Sequence, residues 1–150
     1  MTKSQLAAAL VPIIVLVILV SACTDQDLVT VSKALKDTAQ SVAVLQNIVI
    51  AANSQHLLSN AVTRQLLEAA MSVNRAGRQA VEITRNLNRL TPGDRRDILS
   101  ILQPIIIALA DTQNSVVSTI PDMQTRTNIQ TTLGLIQASV NSAQIALASK

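Results

Sequence analysis

The sequence predicts an all-α protein: an antiparallel up-down four-helix bundle that follows a separate N-terminal apolar segment. About 49% of the residues are apolar, yet none is Phe, Tyr or Trp, so the core must consist of Leu, Ile, Val and Ala. Such side chains suit close helix packing, whereas strands favour aromatic and β-branched residues. Four prolines and three glycines in 150 residues indicate that the elements are few and long.

The first helix of the bundle is predicted over residues 25–52. Its apolar and small residues recur at intervals of three and four, which places them on one face of a helix. The members of this seam are Leu28, Val31, Leu35, Thr38, Val42, Leu45, Val49 and Ala52. Thr24 and Asp25 are suitable N-caps, and Asp27 complements the helix dipole. Asn53 and Ser54 are expected to form the turn.

The remaining three helices are predicted over residues 55–90, 92–118 and 121–149. Each shows the same three-to-four spacing of apolar residues. Thr91, Pro92 and Asp94 form a strong helix-start signal, since Thr can cap, Pro fits the first helical position and Asp suits the third. Pro121 and Asp122 mark the last break between helices. Three short turns joining four amphipathic helices favour the up-down arrangement.

The N-terminal segment has the three parts of a secretory signal. Lys3 supplies the positive charge, residues 6–20 are an uninterrupted charge-free apolar run, and small residues follow. A membrane span needs about 20 apolar residues, so this run is short for one. Pro12 in its middle also suits a transient segment better than a packed helix.

The end of this segment, Val20-Ser21-Ala22-Cys23, resembles the lipobox of bacterial lipoproteins: an aliphatic residue, two small residues and a cysteine. The resemblance implies cleavage between Ala22 and Cys23, which leaves a signal peptide of residues 1–22 and a bundle domain of residues 23–150. It also implies that Cys23 carries the lipid. By the sorting rule of that family, Thr24 in place of Asp favours the periplasmic face of the outer membrane over the inner membrane. The alternative is an uncleaved single-pass anchor with an unmodified cysteine.

A basic cluster is expected close to the lipid. If Cys23 is in the membrane, an up-down bundle returns the end of the second helix and the start of the third to the same side. The cluster consists of Arg85, Arg89, Arg95 and Arg96. Basic residues beside a membrane attract anionic head groups, so these arginines are predicted to contact the membrane surface. The alternative is a solvated face on which Glu82 pairs with its helical neighbours.

Composition argues against most other classes of function. The net charge is +3, or +2 without Lys3, which is too small for a nucleic-acid binder defined by charge. Haem needs more than His56 and Met123 at one end of a bundle, because the sequence has no haem-attachment motif and no aromatic residue. A di-metal bundle needs Glu-x-x-His pairs, which Glu68 and Glu82 do not form. We therefore expect no cofactor, no metal and no catalytic residue, hence no enzyme.

The expected function is a non-catalytic binding or scaffolding domain on the membrane. The alternatives are a carrier of a small apolar ligand or lipid, and the uncleaved anchored protein. Besides membrane lipid, the partner is either a second copy of the chain or another envelope protein, because several apolar residues lie off the predicted seams. These are Val29, Val44, Ile50, Leu99, Ile106, Leu135 and Ile145. Among them, Leu99 and Ile106 are seven residues apart and predict a second apolar stripe on the third helix.

Overall fold

The computed structural model describes residues 25–149, and these residues form four long helices. The predicted signal peptide and Cys23 lie outside the described residues. The helices are α1 (Gln26–Ser54), α2 (Asn60–Thr84), α3 (Pro92–Ser115) and α4 (Met123–Ala148), with a short 3₁₀ turn, Val117–Thr119, between α3 and α4. The described part of the chain contains no strand. The all-α fold is therefore confirmed.

The helices form a closed ring in which each packs against two neighbours. Helix α1 contacts α2 and α4, and α3 contacts the same two helices from the other side. Short connections reverse the chain after each helix, which gives the predicted up-down order. The helices have 24 to 29 residues, which at about 1.5 Å per residue corresponds to a bundle roughly 36–44 Å long.

The core is aliphatic along its whole length. Every residue of the predicted α1 seam is buried, including Thr38, whose hydroxyl donates to the carbonyl oxygen of Ala34 at 2.8 Å. The facing helices contribute large side chains that are almost fully buried: Leu66, Ile98, Leu102, Leu109, Ile129, Leu133 and Ile136. Because these side chains interdigitate at helical spacing, the bundle closes without any aromatic residue.

Helix α2 is shorter at both ends than the predicted 55–90. Residues before Asn60 form a turn in which His56 has φ 59°, and the Ser59 hydroxyl then caps α2 by accepting from the Val62 amide at 3.2 Å. The apolar periodicity misled the prediction because it continues through Leu58 and Leu90. Both side chains are buried, but they cover the ends of the bundle from its connections instead of extending the helix.

The starts of α3 and α4 follow the predicted local chemistry. The Thr91 hydroxyl accepts from the Asp94 amide, and the Asp94 carboxylate accepts from the Thr91 amide at 2.9 Å, forming a reciprocal capping box. Asp122 accepts from the Thr125 amide at 2.7 Å. Hydrogen bonds from Thr91 lower the pKa of Asp94, and those from Thr125 lower the pKa of Asp122. Both helices therefore begin within two residues of their predicted starts.

Candidate functional site

The end of the bundle next to the predicted lipid attachment residue is named the base here. It consists of the start of α1, the end of α2, the start of α3 and the end of α4. Asp25 links two of these elements, since its carboxylate accepts from the Leu90 amide at 3.0 Å. Arg95 links α3 to α1 by donating to Asp27 at 2.7 Å, and it links α3 to α4 by donating to the Ala146 carbonyl at 2.9 Å. The structure therefore brings the start of α1 and the α2–α3 connection together, as the topology predicted.

Arg95 lies at the centre of the base, and its side chain is only 18% exposed. Besides the bonds just described, its guanidinium donates to the Ser149 carbonyl at 3.1 Å and lies 3.6 Å from an Asp25 carboxylate oxygen. It therefore neutralises the acidic start of α1 and satisfies carbonyl groups left without partners at the end of α4. Both terminal nitrogens of its guanidinium are thus engaged inside the protein, whereas the sequence predicted Arg95 on a membrane-contact surface.

The two aspartates of the base have distinct roles. Asp25 is the N-cap of α1, with one carboxylate oxygen accepting from the Asp27 amide at 3.0 Å. Asp27 receives a second hydrogen bond in addition to the one from Arg95, from the Ser149 hydroxyl at 2.7 Å. The hydrogen bond from Arg95, followed by that from Ser149, lowers the pKa of Asp27. Both carboxylates thus act as internal acceptors that hold the helix ends together.

The other three arginines of the predicted cluster are exposed. Arg85 lies just beyond α2, with its side chain 69% exposed and one guanidinium nitrogen 3.8 Å from Glu82. Arg96 is exposed and donates to the Pro92 carbonyl at 3.3 Å, within its own helix turn. Arg89 is exposed in the α2–α3 connection. The four-arginine cluster is thus one internal arginine and three surface arginines, all at the base.

A groove runs between α1 and α2 and opens toward the base; it is called the α1–α2 groove below. Its inner part has a volume of about 160 Å³ and is lined by Val42, Val73 and Gly77 among others. Its outer part, of about 590 Å³, is lined by Leu28 and Leu87 near the base. The two parts share three lining residues, so they are continuous: Leu35, Ala39 and Val81.

Small residues on the facing sides of α1 and α2 cause the α1–α2 groove. Ala39 of α1 and Gly77 of α2 face each other where larger side chains would meet, and a Cβ atom built at Gly77 has no neighbour within 4 Å. The groove was not among the features predicted from the sequence. The available signal was small residues on the facing surfaces of two neighbouring helices, but their alignment depends on the register between α1 and α2.

The opposite end of the bundle carries His56 and Met123. His56 lines a surface pocket with Ile120 and Pro121, and Met123 is 71% exposed at the start of α4. The two residues therefore share an end, as expected from the topology. Within residues 25–149, no group of three or more His, Cys, Asp or Glu side chains is arranged to hold a metal ion.

The apolar residues off the seams fall into two groups. Five of them are exposed: Val29, Val44, Ile50, Leu135 and Ile145. Leu99 and Ile106 are partly buried and pack against the core. The predicted second stripe of α3 is therefore wrong as a surface feature, because these two side chains widen the buried face of the helix.

Comparison with protein-family models, curated proteins and solved structures gives no significant match. Among residues 25–149, no helix has both the length and the hydropathy needed to cross a membrane. The function is therefore inferred from the chain's own residues and from the geometry of the base and the α1–α2 groove.

Proposed function

We propose that the protein is a membrane lipoprotein whose four-helix bundle is a non-catalytic binding or scaffolding domain. In this proposal Cys23 carries the lipid, and the bundle faces the periplasm from the outer membrane. The observation that carries the proposal is the position of Asp25. This residue follows Cys23 by two positions and is hydrogen-bonded into the base through the Leu90 amide. A lipid on Cys23 therefore leaves almost no slack between the membrane surface and the base.

The charges on the base support this orientation. Basic residues near an anionic leaflet each contribute about 1 kcal/mol of attraction. Arg89 and Arg96 are exposed at the base, whereas Arg85 is partly offset by Glu82 at 3.8 Å. The acidic side chains Asp25 and Asp27 are turned inward onto Arg95 and do not oppose the attraction at the surface. Because Asp94 and Asp97 also lie at the start of α3, the attraction depends on the local positions of Arg89 and Arg96 and not on a net positive charge of the base.

The first test is the intact mass of the full chain expressed in a Gram-negative host, beside the Cys23→Ser variant. We expect the parent to lose residues 1–22 and to gain an acylated glyceride, and we expect the substitution to abolish both changes. An unchanged full-length mass in both samples would overturn the lipoprotein proposal and favour the uncleaved single-pass anchor.

The second test concerns the orientation of the base. The purified full chain is placed in phosphatidylcholine vesicles with and without phosphatidylglycerol, and amide hydrogen exchange is measured over residues 85–97. We expect added protection on the anionic vesicles, and its loss in the Arg89→Gln/Arg96→Gln variant. Arg64 and Arg75 are also exposed arginines, but they lie in α2 away from the base. Replacing both with Gln removes the same amount of charge, so this double variant is the matched control. Equal protection on both vesicles would refute docking of the base.

A further inference from the structure

We propose that the α1–α2 groove binds one fatty-acyl chain that bears an anionic head group, that is, a single-chain anionic lipid such as a fatty acid. The inference rests on the proposed function for one point only: anchorage through Cys23 places the mouth of the groove beside the membrane that supplies the lipid. The occupancy of the groove itself follows from its dimensions, its lining and the charges at its mouth.

The dimensions fit one acyl chain. The groove extends along α1 from Leu28 to Val42, which at 1.5 Å per residue is about 21 Å. The hydrocarbon of one leaflet is about 15 Å deep, half of a bilayer core of about 30 Å. The inner part, of 160 Å³, is close to the roughly 150 Å³ of an apolar cavity that holds a benzene-sized ligand. The inner part therefore has a volume comparable to that of one hydrocarbon segment of this size.

The buried residues that line the inner part are suited to hydrocarbon and not to water. Leu35, Val42, Val73 and Val81 supply aliphatic surface on both sides. Thr38 is the hydroxyl residue of this lining, and its hydrogen is already donated to the Ala34 carbonyl within α1. The polar residues Asn74, Arg78 and Glu82 also line this part, but they are half-buried or exposed. A water molecule needs at least two polar partners, and the buried residues of the lining do not provide them, so an apolar occupant is favoured there.

The charges at the mouth define the head group. Lys36 of α1 and Arg85, just after α2, line the outer part of the groove from opposite sides. Arg85 has only a loose ion pair with Glu82 at 3.8 Å, and Lys36 forms no ion pair within the described residues. Two cations on opposite rims attract a carboxylate placed between them. The lipid predicted on Cys23 is attached through a neutral glyceride, so it would give neither cation an anionic partner.

The test uses the purified full chain in phosphatidylcholine vesicles and a palmitic acid probe with a diazirine at its far end. After irradiation, mass spectrometry locates the labelled residues. We expect labelling of α1 and α2 around Val42 and Val73, at the inner end of the groove. In Gly77→Leu the added side chain fills this space, and the labelling should be lost.

Gly134→Leu is the matched control. Gly134 is an internal residue of α4, a Cβ atom there also has no neighbour within 4 Å, and it does not line the groove. This variant should be labelled like the parent. Equal labelling of the two Leu variants, or labelling mainly at Ile107 and Ile145 on the outer faces of α3 and α4, would overturn the proposal.

A second variant keeps the proposal testable if Gly77→Leu fails to fold, as judged by circular dichroism. Lys36→Gln/Arg85→Gln changes two exposed side chains, so folding is retained. Loss of two partly exposed ion pairs should raise the probe concentration for half-maximal labelling about fivefold. No change in that concentration would contradict recognition of the anionic head group.

The intact mass of the same samples separates this proposal from the proposed function. A lipidated chain without labelling in the groove would overturn the groove proposal and leave the anchor intact. A chain that is labelled in the groove but retains residues 1–22 without lipid would overturn the anchor and leave the groove proposal standing.

Discussion

Replacing Arg95 with Ala tests whether this residue holds the base together. The guanidinium connects the start of α1 to the end of α4 through Asp27 at 2.7 Å, the Ala146 carbonyl at 2.9 Å and the Ser149 carbonyl at 3.1 Å. Alanine removes all three bonds at once. It also leaves the Ser149 carbonyl without its side-chain donor, whereas the Ala146 carbonyl keeps the Ser149 hydroxyl as a donor at 2.7 Å.

The expected loss follows from the number and setting of these bonds. A net intramolecular hydrogen bond contributes about 0.5–1.5 kcal/mol, and we take the lower half of this range because Arg95 remains 18% exposed to solvent. Three bonds then correspond to a decrease of about 2 kcal/mol in the free energy of unfolding. For a domain of this size, that decrease lowers Tm by roughly 6–10 °C.

Thermal unfolding of the full chain, followed by far-UV circular dichroism, measures this loss. Arg96→Ala is the matched control, because Arg96 is the adjacent residue, is exposed and has its hydrogen bond within its own turn, to the Pro92 carbonyl. Its free energy of unfolding should change by less than about 0.5 kcal/mol. Arg95→Lys keeps the charge but not the planar fork, so an intermediate loss is expected. Equal Tm values for the two Ala variants would refute the role assigned to Arg95.

Three further predictions address pH, helix glycines and the core. The base and cap carboxylates whose pKa is lowered below the ordinary 3.8 stabilise the fold fully above about pH 5, and this contribution is lost as the pH falls through 3.8 and below. Tm should therefore fall in that window and fall less in Asp94→Asn; a constant Tm there would contradict it. Gly77→Ala and Gly134→Ala should each raise the free energy of unfolding by about 0.5–1 kcal/mol in urea titrations, because neither Cβ meets an atom within 4 Å. Leu133→Ala should lower it by about 2–5 kcal/mol, whereas Leu135→Ala, 56% exposed in the same helix, should change it by less than about 0.5; similar losses would place the core elsewhere.

Local chemistry made much of the fold predictable. The α1 seam is buried as expected because the helical period depends only on neighbours three and four residues away. The Thr91–Asp94 capping box is equally local, since both hydrogen bonds join residues three positions apart. The four helices and their order therefore followed from the sequence, as did the meeting of the arginine cluster and the start of α1 at one end of the bundle.

Helix length was less predictable where buried apolar residues lie in the connections between helices and not in the helices themselves. Leu58 and Leu90 fit the periodicity of the second helix, yet they lie in its connections and close the two ends of the bundle. Apolar spacing records that a side chain is buried but not which element it covers. Only the positions of the neighbouring helix ends determine where α2 stops.

The same distinction between local sequence and tertiary packing applies to the candidate sites. The sequence by itself placed four arginines near the predicted lipid, but it could not separate Arg95 from Arg96, which are adjacent and chemically identical. Tertiary structure separated them, because Arg95 meets Asp27 and Ala146 across 68 and 51 positions of the chain. The α1–α2 groove likewise depends on the register between two helices. Interactions within one helix turn are encoded locally, whereas those between distant segments exist only after the helices have packed.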